Sequence, residues 1–108
     1  MHFEHLDFNV SGVTFEGRQE VLKNLRDSGK DVFKASLVHE PENKFDDKAV
    51  KVMVGEEGQQ VQIGYVPAIV ASNIFDILNK VTRAKVKIGY SSDLRRWYAN
   101  CDLTFNVG

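Results

Sequence analysis

The segment LVHEPENKFDDKAVKV, residues 37–52, decides the fold. Its two ends are rich in apolar residues that favour strands, and a polar stretch separates them. Within that stretch stand several residues that favour turns, namely Pro41, Asn43, Asp46 and Asp47. The pattern predicts a strand over residues 32–39, a long structured loop, and a second strand over residues 49–54.

Downstream of this segment, the chain alternates between strand and helix patterns. Gly55 and Gly58 indicate a hairpin turn, and its return strand covers residues 61–66. Pro67 is a favourable first residue for a helix, and apolar residues recur after it at helical spacing as far as Lys80. The last two predicted strands cover residues 84–90 and 97–107, with a polar turn between them.

Upstream, two different apolar periods predict the first strand and the first helix. The alternation over residues 6–10 predicts a strand, and Gly12 then permits a bend. Val13 and Phe15 are expected to resume the strand pattern after that bend. Over residues 18–26 the apolar side chains recur at helical spacing, which predicts a short amphipathic helix.

Six predicted strands and two predicted helices in 108 residues define the expected fold class. It is mainly β with two short helices (α+β), and the sheet is expected to close into a small OB-like curved β barrel. The length is typical of one domain, and no linker rich in Ser, Gly or Pro divides the chain. We therefore expect a single domain over residues 1–108.

The composition is that of an ordinary globular protein, with 43% hydrophobic and 27% charged residues. No apolar stretch approaches the roughly 20 residues that span a bilayer, and the N-terminus lacks the pattern of a signal peptide. The one cysteine, Cys101, excludes an intramolecular disulfide and is expected to be a small buried strand residue. These features predict a cytoplasmic protein without a membrane partner.

The net charge of −1 argues against a broad basic surface that coats duplex DNA, but it conceals an asymmetry. Residues 1–57 carry a net charge of −4, whereas residues 58–108 carry +3. If the basic residues of the second part share one face, they could hold a few phosphates; otherwise they form a solvated face. These residues are Lys80, Arg83, Lys85, Lys87, Arg95 and Arg96.

The sequence contains no catalytic signature: a phosphate-binding loop, a nucleophile elbow and a zinc-protease motif are all missing. His2, His5 and His39 do not predict a shared metal site. Three acids on one loop could bind a divalent ion in a small nuclease, but such acids are commoner as solvated turn residues. They are Glu40, Asp46 and Asp47. We expect a non-catalytic protein with no metal ion and no cofactor.

Two segments carry a resemblance to a known family. GVTFEGRQEVLKNL, residues 12–25, precedes LVHEPENKFDDKAVKV, which is followed by QIGYVP, residues 62–67. Their order and spacing closely resemble the HIRAN domain, and EPENKFDDKAVKV is the most specific part. The resemblance covers residues 8–78 well and the last strands only weakly. It implies an OB-like barrel with two helices, which binds single-stranded DNA by its free 3′ end in DNA repair or replication.

Aromatic side chains offer the chemistry that such a ligand needs, because bases stack on aromatic faces. The candidates are Phe15, Phe45, Tyr65 and Trp97. By the resemblance, Phe45 and Asp46 are the aromatic and the aspartate of the binding loop, where the aspartate accepts a hydrogen bond from the terminal 3′ hydroxyl. Asn43 resembles a polar residue of the same loop. In the alternative interpretation, Asn43 and Asp46 only cap turns and Phe45 fills the core.

The chain departs from the family's pattern at three positions. Thr14 stands where a DNA-binding member can carry arginine, and Tyr65 and Ala68 stand where basic residues can follow the glycine of QIGYVP. Phe15 keeps the place of a stacking aromatic, and Trp97 aligns approximately with another aromatic of the cleft. A lone tryptophan there is as often part of a core or an interface. Fewer cations would lower affinity for phosphates and flatten its salt dependence.

Two hypotheses follow. In the first, the chain is a nucleic-acid-binding module that stacks bases on its aromatic residues and recognises the terminal sugar through Asn43 and Asp46. Arg18, Lys44, Lys48 or the C-terminal basic residues then supply the phosphate contacts. In the second, the chain is a protein-interaction or oligomerisation domain that keeps the fold without the DNA site. A helicase or nuclease partner suits the first hypothesis, and a homo-oligomer suits the second.

Overall fold

The structure is a computed structural model and describes residues 2–108. In that part of the chain it contains two α-helices, one 3-10 helix and six strands. In chain order these are β1 Phe3–Asn9, α1 Arg18–Asp27, β2 Val32–His39, β3 Val50–Val54, β4 Val61–Tyr65, α2 Ala68–Ile74, the 3-10 helix Phe75–Lys80, β5 Val81–Ser91 and β6 Arg96–Asn106. The prediction of a mainly β fold with two short helices is confirmed.

The six strands form one antiparallel sheet in the order β1-β6-β5-β2-β3-β4. The longest ladder joins β5 to β6, from Val81 opposite Phe105 to Ser91 opposite Arg96. β2 pairs with β5 over residues 32–34 and with β3 over residues 35–39. Because β2 passes from one neighbour to the other, this strand connects the two halves of the sheet.

The sheet does not close into the predicted barrel, because its edge strands β1 and β4 are not paired with each other. A bridge joins the two edges at Ser11, which follows β1, and Tyr65, which ends β4. These residues exchange backbone hydrogen bonds of 2.8 and 2.9 Å. Beyond the bridge, Gly12 turns the chain with a φ of +72°, and Pro67 has no N–H to donate. The prediction of a closed barrel is therefore wrong at this junction.

Gly64 makes the close approach at that junction sterically feasible. A Cβ at this position would overlap the carbonyl oxygen of Ser11 and would lie 2.7 Å from Val10 Cγ1. The backbone of Ser11 cannot retreat without breaking its bonds to Tyr65. A side chain at position 64 would therefore separate the two edges of the sheet.

The core lies on the inner face of the sheet, towards which alternate residues of each strand point. α1 packs on this face through Leu22, which is fully buried. Cys101 is confirmed as a small buried strand residue, and burial, assisted by the charge of Asp102, raises the pKa of its thiol to about 12. Other buried residues of this face are Val50, Val52, Val54, Val86, Ile88, Ala99, Leu103 and Phe105.

Two local predictions are wrong. α2 ends at Ile74, and the chain continues to Lys80 as a 3-10 helix instead of one α-helix. Over so few residues, apolar spacings of about 3.0 and 3.6 look alike in a sequence. Residues 13–17 form turns instead of continuing the first strand. Positive φ angles at Gly12, Glu16 and Gly17 bend the chain there, so the apparent alternation does not reflect a strand.

Candidate functional site

The side chain of Asn43 organises the loop between β2 and β3. Its Oδ1 accepts hydrogen bonds from the backbone N–H groups of Phe45, at 2.9 Å, and Asp46, at 3.0 Å. Its Nδ2 donates to Glu40 Oε1 at 2.8 Å. One amide thus fixes the backbone of the residues that follow it, in the manner of an Asx turn.

Two further contacts complete the loop. Asp46 Oδ1 accepts a hydrogen bond from the backbone N–H of Lys48 at 2.9 Å, and the carbonyl of Asp46 accepts one from Ala49 N at 3.0 Å. At the base of the loop, His39 Nε2 lies 2.6 Å from the carbonyl oxygen of Asp47. The turn-capping role that was considered for Asn43 and Asp46 is therefore observed. It is compatible with a binding role, because an ordered loop is a good platform for a ligand.

Phe45 projects from this loop into solvent and is 98% exposed. The interpretation that Phe45 fills the core is therefore wrong. A fully exposed phenylalanine loses the hydrophobic stabilisation that burial would provide, roughly 1.5–3 kcal/mol. Because the loop fixes the backbone on which Phe45 stands, the ring is presented in a defined place.

Glu40 connects this loop to β4 and β3. Its Oε1 accepts a hydrogen bond from the Tyr65 hydroxyl at 2.9 Å, in addition to the one from Asn43, and its Oε2 lies 3.3 Å from Lys51 Nζ. The hydrogen bonds from Asn43 and Tyr65, together with Lys51, hold the pKa of this carboxyl below its usual value. Glu40 is therefore ionised at neutral pH and ties Tyr65 to the base of the loop.

On its other side, Tyr65 meets the turn formed by residues 12–17. Phe15, Arg18 and Tyr65 converge around Gly12, where a Cβ would find all three side chains within 4 Å. The Arg18 guanidinium lies 5.5 Å from the centroid of the Tyr65 ring and donates to the carbonyl of Gly12 at 2.9 Å. Phe15 is 65% exposed, so it offers a second aromatic surface beside Tyr65.

Thr14 and Trp97 complete the set of residues that the sequence suggested. Thr14 is exposed on the turn. Trp97 is half-buried, and its ring packs edge-on against Tyr90 with centroids 5.2 Å apart. Gln19 connects Trp97 to the turn, because its amide bonds to the backbone of Trp97 and to the carbonyl of Val13. The hydrogen bonds of Gln19 thus hold Trp97 beside the turn formed by residues 12–17.

The structure brings together most of the residues that the sequence suggested. Asn43, Phe45 and Asp46 share one loop, and Tyr65 joins that loop to Phe15. The sequence reasoning missed Glu40 and Gln19 as organising residues. The local pattern does not indicate their long-range bonds, since Tyr65 lies 25 residues from Glu40 and Trp97 lies 78 residues from Gln19.

The cations close to these aromatic residues differ in whether other groups of the protein already bind them. Arg18 is buried and bound to Gly12, with Glu16 at 3.7 Å, and Lys51 is paired with Glu40. Lys44 is exposed beside Phe45, in a pocket of about 480 Å³ that Asn43 also lines. Lys48 is exposed and lies 5.7 Å from the centroid of the Phe75 ring. Lys44 and Lys48 are therefore the cations best placed to meet a phosphate here.

Among residues 2–108, no three His, Cys, Asp or Glu side chains are grouped so that they could hold a metal ion. The loop acids instead serve local roles, since Asp46 caps a turn and Glu40 accepts hydrogen bonds from Asn43 and Tyr65. The arrangement offers exposed aromatic rings and hydrogen-bonding groups on ordered loops. Such groups are suited to binding a ligand by stacking and hydrogen bonds.

The fold and the site define a small antiparallel β module that presents aromatic rings on ordered loops. Its sequence matches the HIRAN domain over residues 3–107, and the chain belongs to the HIRAN family. The HIRAN domain is a DNA-binding module and is not catalytic. Searches of curated proteins and of solved structures each found no match. No helix within residues 2–108 is long and apolar enough to cross a membrane.

Proposed function

We propose that the chain is a single HIRAN domain over residues 1–108 that binds the 3′ end of single-stranded DNA. The observation that carries this proposal is Phe45, which is 98% exposed on a loop fixed by the Asn43 side chain. An exposed ring on an ordered backbone suits stacking, which contributes about 1–3 kcal/mol per base. A helicase or nuclease that exposes or processes such an end is the class of partner that fits this activity.

The terminal nucleotide stacks on Phe45, and the next base reaches Phe15 and Tyr65, with Thr14 on the same turn as Phe15. Asp46 lies directly after Phe45, and its carboxylate has one oxygen engaged with the backbone of Lys48. The other oxygen accepts a hydrogen bond from the terminal 3′ hydroxyl. A 3′ phosphate at the same place would meet the carboxylate as a like charge, so the site selects a free end. Trp97 contributes at the far side of the turn.

The test is fluorescence anisotropy with two matched oligonucleotides, one with a free 3′ hydroxyl and one with a 3′ phosphate. We expect the wild type to bind the free end more tightly. Asp46→Asn keeps an oxygen that can accept from Lys48 N–H but removes the negative charge. This variant should lose much of the preference for the free end while retaining most of its affinity.

Asp47→Asn is the matched control, because Asp47 is the next acidic residue of the same loop and contributes its backbone carbonyl to it. This control should keep the wild-type preference. Circular dichroism should show that each variant is folded. If the folded wild type binds free and 3′-phosphorylated oligonucleotides equally, or binds neither, recognition of the end is refuted.

The second candidate function is a protein-interaction or oligomerisation domain. The engagement of Arg18 and Lys51 within the protein favours it, because these two cations are not free to bind phosphates. In that case Phe15 and Phe45 form apolar contacts with a protein partner. Analytical ultracentrifugation without DNA would show self-association that Phe45→Ala abolishes, whereas the DNA-binding function predicts a monomer under those conditions.

A further inference from the structure

A group of exposed cations lies on the outer face of the sheet, away from the core. Along β5, Arg83, Lys85 and Lys87 are exposed and alternate with buried residues. Lys34 of β2 stands directly opposite Lys85 on the same face. These four residues are called the β2–β5 basic surface below. Part of the C-terminal basic cluster therefore does share one face, and Lys34 from the acidic half of the chain joins it.

The pairing of Lys34 with Lys85 is unfavourable by itself. Like charges directly opposite each other on an antiparallel ladder destabilise it. Within residues 2–108, none of the four cations of the surface forms an ion pair with a carboxylate. These four cations are therefore not held in ion pairs within that part of the chain, and a bound anion would relieve the repulsion between Lys34 and Lys85.

A cleft opens beside this lysine pair. The ladder between β2 and β5 stops at Lys34 and Lys85, after which β2 continues against β3. The resulting cleft has a volume of about 580 Å³, and Lys34, Arg83 and Lys85 line it together with Leu37 and Leu78. Because low-dielectric walls focus a field, positive charges beside a cleft attract an anion in it more strongly than they would on a convex surface.

The surface extends beyond the cleft along β5. Alternate residues of a strand are about 6.6 Å apart, so Arg83, Lys85 and Lys87 form a row that can follow the phosphates of an extended strand. At the end of this row Tyr98 lies over Gly89, where a Cβ would come within 2.6 Å of Tyr98 Cζ. Tyr98 is 41% exposed and offers an aromatic face next to Lys87.

Acidic residues border this surface on both sides. Asp102 of β6 stands opposite Lys85, and Asp7 of β1 stands opposite Asp102. A row across the outer face therefore carries two negative charges followed by two positive ones. Glu56 and Glu57 follow Gly55, whose N–H bonds to the carbonyl of Lys34. These acids limit the width of the positive region to β5 and β2, which suits one strand of a polyanion.

We propose that the β2–β5 basic surface binds the phosphodiester backbone of single-stranded nucleic acid, at a place separate from the end-binding site. The surface occupies β5 and the start of β2, whereas the end-binding loop begins after the last residue of β2, and Phe15 and Tyr65 lie beside the junction at Ser11. This inference takes only the class of ligand from the proposed function. The surface adds affinity for longer strands without reading a terminus.

The test uses a labelled single strand of mixed sequence with a 3′ phosphate, so that the end-binding site contributes little. Lys85→Gln/Lys87→Gln removes two cations of the surface. Lys23→Gln/Arg95→Gln removes two exposed cations, on α1 and in the turn between β5 and β6, and is matched in charge. Each single-strand phosphate contact adds about 0.7 to the salt slope, so from roughly 50 to 200 mM salt the wild type should lose about sevenfold more affinity than Lys85→Gln/Lys87→Gln. The control should follow the wild type.

A substitution that strengthens binding gives a second readout. Asp102→Asn removes the negative charge opposite Lys85 and should raise affinity for the same strand, whereas Asp27→Asn at the end of α1 should not. Equal salt slopes for the two double variants, or no gain from Asp102→Asn over its control, would overturn the proposal. So would tighter binding to a duplex of the same sequence, or equal competition by polyglutamate.

The outcome for this surface is distinguishable from the outcome for the end-binding site. Lys85→Gln/Lys87→Gln should lower the affinities for free and 3′-phosphorylated strands by the same factor, so their ratio stays as in the wild type. If the wild type shows no preference for a free end, the proposed function fails while the comparison of salt slopes still decides the role of the basic surface.

Discussion

The end-binding site and the β2–β5 basic surface are built on opposite principles. The former consists of loops whose backbone is fixed by side chains such as Asn43, and it presents aromatic rings with few free cations. The latter stands on regular strands and presents Lys34, Lys85 and their neighbours, which form no ion pair within residues 2–108. The end-binding site therefore has fixed backbone geometry and few free cations, whereas the basic surface has several free cations and no such fixed geometry.

This difference indicates what each of the two regions would contribute to binding. Stacking and hydrogen bonds need fixed positions, because they act over short distances and depend on direction. Attraction to phosphates acts over about one Debye length, roughly 8–10 Å, and tolerates mobile side chains. An ordered loop therefore suits recognition of a strand end, whereas long exposed lysines suit contact with a backbone of any sequence.

The largest expected effect is that of Gly64→Ala, which should break the end-binding site and spare the basic surface. The new Cβ would overlap the Ser11 carbonyl and push Tyr65 away from residues 12–17. Overpacking of this kind costs about 1–3 kcal/mol. Urea unfolding should show a loss near the upper end of that range, together with weaker binding of a free end.

Gly58→Ala is the control for this substitution. Gly58 also has a positive φ, +85°, but a Cβ there would meet no atom within 4 Å. Its cost should be limited to the strain of the backbone conformation. Equal losses for the two variants would mean that the junction of the sheet edges is not sterically tight.

The next effect is on binding. Phe45→Ala should weaken binding of a free 3′ end by about 1–3 kcal/mol, because it removes a stacking platform. Since the ring is 98% exposed, the free energy of unfolding should change by less than about 0.5 kcal/mol. Anisotropy and urea unfolding measure the two quantities. Ile69→Ala, which removes another strongly exposed apolar side chain, should leave binding unchanged.

A salt titration at two strand lengths sharpens the comparison without any substitution. A trinucleotide with a free 3′ hydroxyl can occupy only the end-binding site, so its affinity should depend weakly on salt. A strand of about 20 nucleotides should reach the basic surface, and four more phosphate contacts would steepen its slope by up to about 2.8. Identical slopes at both lengths would show that the two regions do not act on one strand.

The smallest effect concerns the acid sensitivity of the loop. Because the folded-state pKa of Glu40 lies below its unfolded value of 4.5, ionisation of Glu40 favours the folded state above that value. This contribution is lost as the pH falls from 4.5 through the lower folded-state pKa. The difference between the free energies of unfolding of the wild type and of Glu40→Gln should therefore narrow as the pH falls through that window. Urea unfolding at a series of pH values measures it, and a difference that stays constant below pH 4.5 would contradict it.

The amino-acid sequence by itself determined the local features of this protein. Alternating apolar residues specified the strands, and the turn residues of EPENKFDDK specified an ordered loop. The contacts of Asn43 and Asp46 confirm that loop, because each spans only two or three residues of the chain. The family also followed from these segments, since its pattern is made of such local features.

Only the tertiary structure decided how distant residues meet. The open junction at Ser11 and Tyr65, the bond from Tyr65 to Glu40, and the opposition of Lys34 to Lys85 all depend on strand order and register. A change of one residue in register moves each side chain to the other face of a sheet. The apolar pattern fixes which face is buried, but it does not specify which strand lies next to which. For that reason the closed barrel was predicted wrongly, and the basic surface emerged only from the assembled sheet.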